Sequence, residues 1–111
     1  MNIKAISKEV HNLAWEKGWH SELEDEDKFV ERTCNNLHDE ISELHTAWRG
    51  NKLREKCDKP INLTYLEEEL ADIVLRVFDG ALKLNVDLER AIKVKHEYNK
   101  VRTYRHGNKK S

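Results

Sequence analysis

The sequence predicts an all-α protein, one four-helix bundle domain spanning residues 1–111, and three observations carry that prediction. Apolar residues recur at helical spacing in four separate segments, most of them bounded by a capping residue or a Gly or Asn stop. One Pro and four Gly interrupt the chain, too little punctuation for strands joined by tight turns. Charged residues make up 37% and hydrophobic ones 38%, the balance of a small helical domain with a solvated exterior.

The first helix is expected from about Ile3 to Lys17, with Ile3, Ile6, Val10, Leu13 and Ala14 on one side and Gly18 as its stop. The second is expected from Asp27, a capping residue, to Arg49, with Val30, Cys34, Leu37, Ile41, Leu44 and Trp48 as its stripe. A polar connection from 50 to 63 follows. Thr64 with Glu67 three residues on makes a capping box for the third helix. Its stripe of Leu66, Leu70, Ile73, Val77, Ala81 and Leu84 is the clearest in the chain, and Asn85 closes it in a left-handed conformation. Asp87 caps a fourth helix running from Leu88 to about Tyr104, and a basic tail, 105–111, completes the chain. The short link between helices three and four makes them antiparallel neighbours. A core this small is marginal alone, so a homodimer or homotetramer is expected to complete the burial.

The formal net charge of −1 argues against a general nucleic-acid or membrane binder, and no apolar run approaches the roughly 20 residues that span a bilayer. Cys34 and Cys57, without a secretory leader, read as reduced thiols of a soluble cytoplasmic protein. Charge is nonetheless uneven. Acids dominate from Glu22 to Glu43 and bases from Lys93 onward, two surfaces suited to holding a polyanion through a cation.

Two acidic pairs share one spacing: Glu40 with Glu43 in helix two, and Glu69 with Asp72 in helix three. At i, i+3 both members project from one side of a helix, and 100° steps set each pair at the border of its apolar stripe. Taken singly such pairs are commonplace on exposed faces. On two successive helices of one bundle they form a carboxylate cluster that repels itself unless a cation sits within it. All-oxygen ligation selects Mg²⁺ or Mn²⁺ over zinc. Helix four supplies a line of Leu88, Ile92, Lys95, Asn99 and Arg102, apolar first and then cationic. Such a face starts in the core and ends in groups that hold phosphate oxygens. Among Trp15, Trp19 and Trp48, the last reads as core, and Trp15 and Trp19 are the better candidates to stack on a base. The six histidines form no recognisable ligand set, and Cys34 with His38 lacks the second pair a zinc site needs.

In order, Glu40-x-x-Glu43, Glu69-x-x-Asp72 and Lys95-x-x-x-Asn99-x-x-Arg102 resemble the MazG-like nucleotide pyrophosphohydrolases of the all-α NTP pyrophosphatase superfamily. The matching stretch runs from about Asp39 to Arg105, and its most specific part is Glu67 to Ile73. The segment Gly18-Trp19-His20 and the tail Tyr104-Arg105-His106-Gly107 look like the short single-domain members. The resemblance implies that Glu40, Glu43, Glu69 and Asp72 bind Mg²⁺ and carry the catalysis. It implies that Lys95, Asn99, Arg102 and Arg105 hold the phosphates of a nucleoside triphosphate, that Trp19 contacts its base, and that subunits pair around each site. The chain departs from the family at Asp39, where a second Glu is frequent, and at Arg76, where some relatives place an aromatic residue. Relatives that hydrolyse phosphoribosyl-ATP or select dUTP or dCTP share this carboxylate logic, as would a nucleotide-binding module without turnover.

Overall fold

A computed structural model describes residues 2–102, which contain four α-helices and no strand. Helix α1 spans Ile3–Glu16, capped by Asn2, whose Oδ1 accepts the Ala5 N–H at 3.0 Å. It stops where expected: Gly18 takes φ +74, a conformation that costs a residue without Cβ little. Helix α2 spans Glu26–Arg49 and is capped by Asp25, not Asp27. Asp25 accepts the Lys28 N–H at 2.8 Å, which leaves Glu26 and Asp27 in the first turn, where the helix dipole favours acids. Helix α3 spans Tyr65–Lys83 behind the predicted capping box, with Thr64 and Glu67 exchanging bonds of 3.1 and 2.9 Å. Asn85, at φ 56, ends it in the left-handed region as read from the sequence. Helix α4 spans Leu88–Lys100, with Asp87 accepting the Arg90 N–H at 3.1 Å. None of the helices among the described residues is long and apolar enough to cross a membrane.

Helix α3 is the hub, with α1 and α2 both packed along it. Gly80 lets α2 approach closely, because a Cβ there would meet Thr33 Cγ2 at 3.4 Å. The connection before α3 is ordered by its backbone: Cys57 N–H bonds Leu63 C=O at 2.9 Å, and Tyr65 and Leu66 donate to Glu55 and Leu53 at 3.0 Å. That fold-back buries Cys57 and carries Lys59 onto α3.

The core departs from the sequence reading: Leu13, Val30, Cys34, Ile41 and Leu70 of the expected stripes are exposed, α4 packs on α1 and not beside α3 as expected, and two departures bear on the site. Trp48 is 60% exposed, not buried, with its ring beside that of His45, although the adjacent Ala47 is buried. Helix α4 contributes no buried residue and touches α1 in a minor contact, so its apolar start does not enter the core. Periodicity identifies a face but not whether anything covers it. The residues that are buried include Ala14, Phe29, Ala47 and Phe78, together with His20 and three acids, Glu40, Glu68 and Glu69. Acids are rarely buried without a partner, and their gathering is the most unusual property of this core. Thr64→Ala removes the cap of the central helix without touching these acids. It is expected to cost about 1 kcal/mol, lowering the melting temperature by roughly 4–8 °C in a calorimetric scan.

Candidate functional site

Helices α2 and α3 face each other so that Glu40, Glu43 and Glu69 each offer an oxygen within 4.8 Å of the others, as do Glu68, Glu69 and Asp72. Glu69 belongs to both groups. All four carboxylates read from the sequence therefore meet, joined by a fifth, Glu68. The spacing could have revealed it, since Glu68 lies four residues before Asp72 on the same face of the helix. Lys59, which forms an ion pair with Glu68, gave no local signal because the polar connection brings it there.

The electrostatics follow from burial. Desolvation pushes the Glu69 carboxyl up to about 7, reinforced by the charges of Glu43, Glu40 and Asp72. Asp72 is raised for the same first reason, with Glu40 and Glu68 adding to it and Lys59 and Arg76 opposing. Arg76 Nε donates to Glu40 Oε1 at 2.9 Å and so steadies that carboxylate. One oxygen on each of Glu40, Glu68 and Glu69 remains buried without a hydrogen-bond partner. Buried acceptors in that state are costly, and each of the two carboxylate groups that share Glu69 is a hard-cation donor set.

A cavity of about 520 Å³ opens beside Glu40 and Asp72. Val10, Leu13, Trp19 and Phe29 form its apolar wall; Arg32, Asn36, Arg76 and Asp79 supply polar groups. Trp19 thus lies on the cavity, 62% exposed, with its indole free to meet a planar ligand. Trp15 instead donates its Nε1–H to His11 Nε2 at 3.0 Å. Two of the six histidines nevertheless come together: His11 and His20 converge on Asp79. They lie on either side of the Gly18 turn, and Asp79 follows them by 68 and 59 residues, so no local spacing announces the group. Arg32 donates to Glu24 through two bonds of 2.7 Å, and these hold the Glu24 carboxyl below its usual range.

The basic line on α4 is not brought to the carboxylates. Lys95 Nζ lies 4.9 Å from the centroid of the Tyr98 ring and Arg102 Cζ 5.7 Å from it, while Arg102 Nη1 reaches Asn99 Oδ1 at 3.4 Å. Among the described residues none of the three bonds an acid of the cluster. Arg105 lies outside the described residues. The chain matches no protein-family model, no curated protein and no solved structure.

Proposed function

We propose that the chain is a Mg²⁺-dependent pyrophosphohydrolase that converts a nucleoside triphosphate and water into the monophosphate and pyrophosphate, working as a homodimer or homotetramer. One observation carries this reading: two carboxylate groups that share Glu69, with partnerless buried oxygens on Glu40, Glu68 and Glu69, lie beside a cavity with an aromatic wall. The donors suit Mg²⁺, with Mn²⁺ as a substitute, because all are carboxylate oxygens and no thiol or imidazole enters the set. Mg²⁺ bound there would neutralise phosphate charge and activate the attacking water.

The residues divide the work by their surroundings. Glu40 is held at Oε1 by Arg76 and offers Oε2; Glu69 bridges the two carboxylate groups; Asp72 and Glu68 close the far side. Glu43 is the exposed member of its group and free to take the proton as water attacks the α-phosphorus. The new bond joins the water oxygen to that phosphorus, the α–β anhydride bond breaks, and pyrophosphate departs. Trp19 stacks on the base from the cavity wall. Lys95, Asn99 and Arg102 hold the β- and γ-phosphates, presented by α4 of a second subunit.

A panel of the common NTPs and dNTPs with Mg²⁺, reading monophosphate and pyrophosphate separately, tests the proposal. Equal release of the two products is expected for at least one substrate. Orthophosphate in place of pyrophosphate, or binding without any turnover, would sink it.

A further inference from the structure

His20 follows Trp19 directly in the turn between α1 and α2, and its side chain is 1% exposed. Its Nε2 lies 2.9 and 2.8 Å from the two oxygens of Asp79, and its Nδ1 lies 3.2 Å from Arg32 Nη2. His11 mirrors it, with Nδ1 2.7 Å from Asp79 Oδ1 and Nε2 receiving the Trp15 indole N–H. The outer partners assign the tautomers. An indole nitrogen and a guanidinium nitrogen have only hydrogens to offer, so His11 Nε2 and His20 Nδ1 must be the lone-pair nitrogens. The inner nitrogens then carry the hydrogens, and both rings donate to Asp79.

The same assignment argues against a transition metal in this cluster. A metal on the inner nitrogens would require hydrogens on the outer ones, directed at the Trp15 and Arg32 donors. The group is instead a continuous chain of bonds, Trp15–His11–Asp79–His20–Arg32–Glu24, that ties α1, the turn, α2 and α3 together. Trp19 is 62% exposed; its N–H bonds the Ala14 carbonyl at 2.9 Å, and the next residue, His20, is the anchored end of the turn that carries it.

We infer that Asp79, clasped between His11 and His20, is a positioning residue that seats the Trp19 turn against the cavity and so sets affinity for the base end of the substrate. The inference rests on the nucleotide reading above. It acts on binding and leaves the chemistry at the carboxylates alone.

Kinetics on the triphosphate of the panel with the highest kcat/KM test it. Asp79→Asn presents an amide N–H to a ring N–H and is expected to raise KM about tenfold with kcat within about twofold. Trp19→Ala is expected to raise KM similarly, and adding Asp79→Asn to it should bring less than a further twofold, because both remove one interaction. A fall in kcat at unchanged KM, or full additivity of the two substitutions, overturns the inference. Should Asp79→Asn fail to fold, Trp15→Phe at its partly exposed site removes the donor to His11 while keeping an aromatic ring beside His20. KM raised about threefold supports the clasp, and an unchanged KM overturns it.

Long-range ¹H–¹⁵N NMR of the wild type at pH 8 reads the rings without any substrate. His11 is expected to carry its hydrogen on Nδ1 and His20 on Nε2. Reversed tautomers in an enzyme that turns nucleotides over would sink the inference alone. Silence across the substrate panel would sink the nucleotide reading, and this inference with it, whatever the tautomers.

Discussion

Glu69→Gln is expected to lower turnover by roughly a thousandfold while making the metal-free protein more stable at pH 8. Both effects come from one property. The Glu69 carboxyl is pushed up to about 7 from an ordinary 4.5, first by desolvation and then by Glu43 and Glu40. A folded-state value above the unfolded one means the folded protein binds the extra proton between those two values. Its contribution to stability is present in full below about 4.5 and is lost as pH rises through about 7. At 1.36 kcal/mol per unit the loss is on the order of 3 kcal/mol, concentrated in one side chain. Gln keeps the shape and removes the titration. Melting curves of the two metal-free proteins should therefore coincide near pH 4.5 and separate above pH 7, with the variant higher.

Metal reverses the order. Mg²⁺ is expected to raise the melting temperature of the wild type at pH 8 and to leave the variant nearly unmoved. Because cation and proton compete for the same oxygens, activity should climb with pH through about 7 at fixed Mg²⁺. A variant that retained near-normal turnover, or that melted with the same pH dependence as the wild type, would remove Glu69 from the centre of the site.

Glu69→Gln and Arg102→Ala, each expected to be inactive alone, are expected to restore activity when their subunits are mixed. Helix α4 has no buried residue, with Ile92, Val94 and Tyr98 47, 55 and 56% exposed. Apolar side chains left without cover on a helix are relieved by association, and this helix also carries Lys95, Asn99 and Arg102. If each site takes acids from one subunit and bases from another, a mixed dimer holds one site that is wholly intact. An equal mixture forms half mixed dimers, so about a quarter of wild-type activity should return. If each chain instead folds its own bases onto its own acids, every site carries one lesion and nothing returns. Co-expression followed by the panel assay separates the two outcomes, and Ile92→Asp, expected to dissociate the oligomer, should abolish the recovery.

Much of this arrangement was legible because it is local. Caps at Thr64 and Asp87, stops at Gly18 and Asn85, and the pairing of Glu40 with Glu43 and of Glu69 with Asp72 all follow from bonds and spacings within five residues. Asp25 displaced Asp27 as a cap because two acids stand equally near the same helix start, and the chain direction before it decides between them. The ion pairs of Lys59 with Glu68 and Arg76 with Glu40 were beyond reach, since each joins elements whose relative rotation no spacing encodes.

The sequence by itself determined an all-helical chain, most of its helix caps and stops, and which acids share a helical face, though it set the start of α2 at Asp27 where Asp25 caps it and ran α4 past its end at Lys100. Only the tertiary structure decided that two of those acids, Glu40 and Glu69, are buried together with Glu68, that Trp19 and not Trp48 borders a cavity, that His11 and His20 meet on Asp79, and that α4 stands uncovered. The reason is physical: backbone periodicity dictates what a helix shows on each side, whereas burial and pKa depend on which neighbour packs there.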